Sequence, residues 1–263
     1  MPKPQRWCVF CEGPHLDREH FWPDWASEML QKGKENREVV SKFIEINKLA
    51  EPPVEMVRQG AMTTKRIKAV CKKCNSGWMS ILEKKAKPTL TKLLAAESFL
   101  LTSSQISVLS EWITLKVIVG ESRHREDAAI LPMERKEFYE TRTIPKGLQI
   151  WISRCEAPEW QTRYYRNAVT LADTPVHVQN TLAKNTQSTT FGFGNLFVHT
   201  MYTNLPNLGL RFQFLPLGIV YRIWPDFEND IEWPPMPLPS LAAWDIAQTL
   251  NKMILDARFI YVP

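Results

Sequence analysis

Two cysteine pairs with the spacing of metal-binding knuckles carry the most specific chemistry in this 263-residue chain. Cys8 and Cys11 form one Cys-x-x-Cys pair, and Cys71 and Cys74 form the other. Four thiolates make a complete ligand set for a tetrahedral structural zinc ion (Zn²⁺). The fifth cysteine, Cys155, has no partner in the sequence. This arrangement favours zinc binding in a reducing compartment over a disulfide framework.

Three residues beside these pairs have side chains that suit phosphodiester chemistry. Glu19 and His20 follow the first pair, and Asn75 directly follows Cys74. Carboxylate and amide oxygens suit Mg²⁺ or another hard divalent metal, and imidazole accepts a proton near neutral pH. We expect Glu19 and Asn75 to bind a catalytic metal and His20 to act as the general base. Alone, Asn75 is more typical of a helix N-cap or turn, and a single histidine is more often structural.

Positive charge is concentrated in the first third of the chain. Residues 1–94 contain 18 Lys or Arg and 11 Asp or Glu, whereas the whole chain has a net charge of +5. Residues 58–92 contain ten basic residues and one acid, Glu83, which we expect to pair with Lys87 one helical turn away. A local basic surface is typical of a phosphate-backbone binder; the alternative is a solvated helix face with lysines in the loops. The candidate nucleic-acid contacts are Arg66, Lys68, Lys72 and Lys73.

The elements that must position these residues follow a simple order of knuckle, strand, strand, knuckle and helix. We expect Asp24 to cap a short helix at residues 25–30. Residues 63–70 alternate in part between apolar and basic side chains, as in an edge strand. The helix after Asn75 shows helical apolar spacing, and Pro88 should kink or interrupt it.

This combination of motifs resembles the HNH endonuclease family, which has a ββα-metal fold. The resemblance covers about residues 6–96 and implies hydrolysis of DNA phosphodiester bonds with a divalent metal. By position, His20 corresponds to the family's general base, Glu19 to its metal-binding acid and Asn75 to its last metal-binding residue. The four paired cysteines correspond to the structural zinc site of many members. Bacterial or phage DNA conflict is a common setting of the family.

Three features depart from the family pattern. Glu19 replaces the commoner Asp and is longer by one methylene. An insert at about residues 31–60 separates the two knuckles. Arg66 stands near the position of the family's middle Asn, which mainly orients the site; either Asn36 or Asn47 substitutes for it, or no residue does.

The rest of the chain predicts a mixture of helices and strands. Helices are expected at residues 105–121, capped by Ser103 and Ser104, at 135–142 and at 241–255. The expected strands are residues 148–154, 164–171, 189–202, 210–213 and 218–224. We therefore predict an α+β fold with two parts. Residues 1–96 form a zinc-stapled ββα-metal HNH module with an insertion, and residues 97–263 form a larger C-terminal α+β domain.

Composition and hydropathy limit the cellular setting. Residues 1–8 lack the apolar segment of a signal peptide, and no apolar run is long enough to span a membrane. We expect a cytoplasmic DNA endonuclease without a membrane partner; RNA as substrate and homo-oligomerisation stay open. The principal alternative is a non-catalytic zinc-dependent nucleic-acid-binding protein, favoured by the missing middle Asn, and a second is an RNase with the same site.

Overall fold

The computed structural model describes residues 7–30, 37–42, 54–59, 65–122, 128–172, 184–205, 219–225, 230–250 and 260–262. Helices and strands are mixed in these residues, which confirms the α+β class. The strands are β1 (Glu19–His20), β2 (Arg37–Lys42), β3 (Val54–Gln59), β4 (Arg66–Ile67), β5 (Phe99–Leu101), β6 (Leu148–Arg154), β7 (Tyr164–Ala172), β8 (Thr186–Phe193), β9 (Leu196–Thr203), β10 (Val220–Trp224), β11 (Ile231–Trp233) and β12 (Ile260–Val262).

Most of the described helices lie between Lys72 and Thr141, ahead of the strands of the largest sheet in the chain. The helices are α1 (Lys72–Cys74), a π-helical segment (Asn75–Met79), α2 (Ser80–Ala95), α3 (Ser103–Glu121), α4 (Pro132–Thr141) and α5 (Ser240–Ala247), with short 3₁₀ helices at Asp24–Ala26 and Pro158–Trp160. None of the helices in the described residues is long and apolar enough to cross a membrane.

The largest sheet has six antiparallel strands in the order β10-β6-β9-β8-β7-β12. The predicted strand at residues 189–202 is a β-hairpin, because β8 and β9 pair along their length and turn at Gly194. Gly194 has φ of 58°, a conformation that costs glycine little. The expected strand at residues 210–213 lies outside the described residues.

Two small sheets bear on the candidate site. β1 pairs with β4 so that Glu19 lies opposite Ile67 and His20 opposite Arg66. β2 and β3 pair with each other within the predicted insert. The insert thus leaves the β1–β4 pairing intact. The first cysteine pair precedes β1, and the second lies between β4 and α2.

The helix after the second knuckle begins irregularly and then runs without a break. Gly77 has φ of −93° and ψ of −114° inside the π-helical segment. α2 continues through Pro88, so the expectation that this proline interrupts the helix is wrong. Burial along one side stabilises the helix despite the backbone hydrogen bond that Pro88 cannot donate. The buried α2 side chains are Leu82, Ala86, Thr89, Leu90, Leu93 and Leu94.

Helix α3 lies at the centre of the main hydrophobic cluster. Its N-cap is Thr102, which forms a reciprocal capping box with Gln105, and not Ser103 or Ser104 as predicted. Trp112 on α3 lies 5.5 Å from the Phe193 ring centroid, and Trp22 lies 4.8 Å from the same ring. One hydrophobic cluster therefore includes residues on both sides of position 96, where the sequence predicts a domain boundary.

Candidate functional site

The four paired cysteines converge as the sequence predicts. The Sγ atoms of Cys8, Cys11, Cys71 and Cys74 all lie within 4.8 Å of one another. Cys11 Sγ and Cys71 Sγ are 3.5 Å apart, and all four cysteines are free thiols. Tetrahedral zinc with Zn–S bonds of about 2.3 Å would place its sulfur ligands about 3.8 Å apart. The cluster is therefore compatible with a zinc site.

Backbone turns place the first pair of thiols. Cys8 N–H donates to Gly13 O at 2.8 Å, and Glu12 N–H donates to Cys8 O at 3.1 Å. A Cβ atom at Gly13 would lie 3.2 Å from Cys11 Sγ, so a larger residue would crowd the thiols. A hydrogen bond from the Cys74 thiol is the main reason that the pKa of Cys8 falls to about 4, and the same pairing raises the pKa of Cys74.

A pocket of about 510 Å³ contains the residues that the sequence singled out for catalysis. Glu19, His20 and Asn75 all line it, together with Asp24 and Glu83. Strand alternation predicts that Glu19 and His20 point in opposite directions, yet in this two-residue strand both line the same pocket. The structure therefore brings together the oxygen and imidazole groups that the sequence separates.

Glu19 is the most deeply buried ionisable group of this pocket. Only 8% of the residue is exposed, and burial raises the pKa of its carboxyl to about 7, with Lys116 opposing and Glu83 adding to the shift. Within the part of the chain that the structure describes, Glu19 has no side-chain hydrogen bond and no ion pair within 4.0 Å. A buried carboxylate without such a partner is costly, which is characteristic of a binding group.

His20 is held by a neighbouring carboxylate. Its side chain is 22% exposed, and Nδ1 lies 2.7 Å from Asp24 Oδ1. The prediction that Asp24 caps a helix at residues 25–30 is wrong. Pro23 occupies the N-cap position, no side chain caps this turn, and the turn is a 3₁₀ helix of three residues. Asp24 instead places its carboxylate at ion-pair distance from the buried Nδ1, without a hydrogen bond of regular geometry.

Asn75 is not a helix N-cap; it is the C-cap residue of α1, and Cys74 is the N-cap of the π-helical segment that follows. Its Nδ2 donates a hydrogen bond to Asp17 Oδ2 at 3.3 Å, which leaves the amide oxygen for a cation. Backbone hydrogen bonds fix both residues, because Asn75 N–H donates to Cys71 O at 3.0 Å and Asp17 N–H donates to Val70 O at 2.8 Å. Sequence reasoning missed Asp17; its position two residues before Glu19 is the signal that could have found it.

The candidate nucleic-acid contacts lie on the solvent side of the same elements. Arg66 and Lys68 lie on and after β4, whereas Lys72 and Lys73 lie in α1, and all four are exposed. The proposed substitutes for the middle Asn, Asn36 and Asn47, lie outside the described residues.

Glu83 pairs with a different lysine from the one expected. Its Oε2 lies 4.0 Å from Nζ of Lys116 on α3, whereas Lys87 Nζ lies 5.1 Å from the centroid of the Trp25 ring. Lys116 is only 1% exposed. A buried ammonium from the C-terminal part of the chain thus lies beside the pocket, which spacing along α2 could not reveal.

Comparisons with protein-family models, curated proteins and solved structures found no match. The functional argument therefore depends on the residues of this chain and their arrangement.

Proposed function

We propose that the protein is a divalent-metal-dependent endonuclease of the HNH type that hydrolyses DNA phosphodiester bonds. The observation that supports this proposal most directly is the convergence of Glu19, His20 and Asn75 on one pocket. The order strand, strand, helix and the adjacent four-cysteine cluster are consistent with a zinc-stapled ββα-metal module. The cysteines would hold structural zinc.

The pocket residues have different roles in the proposed hydrolysis of a phosphodiester bond. Glu19 and Asn75 would hold Mg²⁺ or a similar ion, which stabilises negative charge on the phosphate and the leaving oxygen when bound. His20 accepts a proton from the attacking water through Nε2, since the Asp24 carboxylate lies 2.7 Å from Nδ1. Asp24 thereby positions the base and stabilises the imidazolium that forms.

Exposed basic residues next to the pocket provide a surface for the phosphate backbone. Arg66 lies opposite His20 in the β1–β4 pairing, and Arg18 lines the pocket itself. Lysine and arginine contacts of this kind give affinity without sequence readout and weaken as the salt concentration rises.

Plasmid nicking in Mg²⁺ or Mn²⁺ tests the proposal. We expect the zinc-loaded wild type to nick supercoiled DNA and His20→Ala to be slower by about 10²- to 10⁴-fold, because the general base is lost. His199→Ala is not an informative control, because His199 is fully buried in the large sheet. His15→Ala removes an imidazole that does not line the pocket and should retain activity.

Each rival function has its own result. A wild type that binds DNA but never nicks it with any divalent metal would support the non-catalytic zinc-dependent binding protein, whose sequence signal is Arg66 in place of the middle Asn. Preferential cleavage of RNA, when RNA and DNA are offered side by side, would support an RNase. Equal cleavage by His20→Ala would show that the site assignment is wrong.

A further inference from the structure

We propose that Glu83 is the third protein ligand of the catalytic divalent cation, beside Glu19 and Asn75. This inference builds on the proposed function and adds a residue that the HNH resemblance does not supply. Glu83 comes from α2, one turn beyond the irregular segment that carries Asn75, and it lines the same pocket.

The first support is the state of Glu19. This carboxyl is buried, lines the pocket and has neither a hydrogen bond nor a close ion pair among the described residues. A cation in the pocket would satisfy it, since buried charges are paired or coordinate metals. The position of Glu19 therefore indicates where a cation binds, independently of any acid that surrounds it.

The second support is the position of Glu83 relative to that carboxyl. Glu83 lines the same pocket, interacts electrostatically with Glu19 and keeps 27% of its side chain exposed. Its contact with Lys116 Nζ, at 4.0 Å, is at the outer limit of an ion pair and involves only Oε2. The second carboxylate oxygen is left for a cation, while Lys116 offsets part of the repulsion between the two acids.

The third support is the chemistry of the donor atoms. Hard divalent ions prefer carboxylates, amide oxygens and water. Glu83 lies on α2, whereas Glu19 lies on β1 and Asn75 in the π-helical segment. Three protein ligands would leave the other coordination positions of the cation for water and phosphate.

Direct Mn²⁺ binding tests this assignment without relying on nuclease activity. Zinc-loaded protein is titrated with Mn²⁺ while free Mn²⁺ is followed by electron paramagnetic resonance. We expect Glu83→Gln, which keeps the shape but removes the charge, to weaken Mn²⁺ binding by at least about tenfold. Glu83→Asp keeps the charge but withdraws it by one methylene, and it should weaken binding by a similar factor.

Glu97→Gln is the matched control, because it removes the same charge from an exposed position outside the pocket, just beyond the end of α2. It should bind Mn²⁺ within about twofold of the wild type, as expected for a surface charge. Zinc content and thermal melting confirm that each variant is folded. If Glu83→Gln fails to fold, Glu83→Asp decides the question.

The outcomes separate this assignment from the proposed function. Wild-type Mn²⁺ affinity in both Glu83 variants would overturn the ligand assignment. Wild-type affinity in Glu83→Asp alone would also overturn it, because Glu83 would then act through its charge without contacting the cation. His20-dependent nicking with unchanged Mn²⁺ binding in the Glu83 variants overturns the ligand assignment and leaves the nuclease intact. Glu83-dependent Mn²⁺ binding without any nicking supports the ligand assignment and overturns the nuclease. A wild type that binds no Mn²⁺ overturns both.

Discussion

The four-cysteine cluster and the pocket lined by Glu19, Asp24 and Glu83 differ in how closely their candidate ligand atoms approach one another. The four cysteine sulfurs lie within 4.8 Å of one another, and in the described residues they are the one group of three or more Cys, His, Asp or Glu that converges so closely. Glu19, Asp24 and Glu83 line one pocket without such convergence. The thiol site is formed in advance, and the proposed hard-ligand site is open.

The difference follows from the chemistry of the groups. Thiol groups hydrogen-bond to one another, as Cys11 and Cys71 do at 3.5 Å, and a thiol also stabilises a neighbouring thiolate, as Cys74 does for Cys8, so the four sulfurs can cluster without a cation. Carboxylates repel one another, and Glu83 contributes to the raised pKa of Glu19. A cation must offset this repulsion before the oxygens approach to ligand distance. We therefore expect zinc to govern folding and the second metal to govern function.

Loss of the thiol cluster should produce the largest effect. Cys74→Ser removes a sulfur that is fully buried in the cluster, and it should abolish the binding of about one zinc equivalent per chain. Structural zinc contributes about 10–16 kcal/mol in small zinc-finger peptides, so we expect the variant to lose cooperative thermal unfolding in the N-terminal region. Metal analysis and calorimetry measure the two effects.

Cys155→Ser is the matched control for this substitution. Cys155 is also buried, but it belongs to a second hydrophobic cluster with Trp160 and Leu238. The variant should keep its zinc and lose only the modest free energy of one buried thiol. Equal zinc loss in both variants would contradict the four-cysteine assignment.

Substitution of Glu19 should have an intermediate effect and should stabilise the protein, whereas Cys74→Ser destabilises it. The folded pKa of about 7 lies above the ordinary value of 4.5, so the folded protein retains a proton between these pH values that the unfolded chain releases. Burial of this carboxyl therefore destabilises the protein increasingly as the pH rises from 4.5 to 7. In buffer without added divalent metal, Glu19→Gln should raise the free energy of unfolding at pH 8 by on the order of 1–3 kcal/mol.

The stability gained by Glu19→Gln should be smaller when unfolding is measured at pH 5.5. Added Mn²⁺ should reverse the order, because it stabilises a protein that binds it and Glu19→Gln lacks the proposed carboxylate ligand. A variant that is less stable than the wild type at pH 8 without added Mn²⁺ would show that Glu19 is a structural residue, as the cysteines are.

Local spacing predicted the parts of the molecule that depend on neighbours in sequence. The Cys-x-x-Cys pairs predicted the thiol cluster, and residues 148–154 form β6 as expected. Caps were placed less well, because Thr102 and Ser103 both suit an N-cap and only the folded backbone decides between them. The persistence of α2 through Pro88 reflects burial along the helix, which propensity cannot weigh.

The pocket depends on contacts between distant segments, and here the sequence was a partial guide. It selected Glu19, His20 and Asn75, which line one pocket, although their catalytic roles stay predictions. It did not identify Asp17 as the partner of Asn75 or Lys116 as the partner of Glu83. Both partners approach through tertiary packing, and neither lies at a spacing that a strand or helix alone would bring together.

The smallest effect concerns the orientation of Asn75. Its amide nitrogen donates to Asp17 Oδ2 at 3.3 Å, and this contact selects the amide oxygen as the atom available to a cation. Asp17→Ala should leave zinc content unchanged and weaken Mn²⁺ binding by several-fold to about tenfold, the lower range for loss of a residue that orients a metal ligand. Asp17→Asn keeps an acceptor oxygen and should restore most of the affinity. If both variants bind Mn²⁺ like the wild type, the amide does not need this partner, and the pocket is more preorganised than its open arrangement of carboxylates indicates.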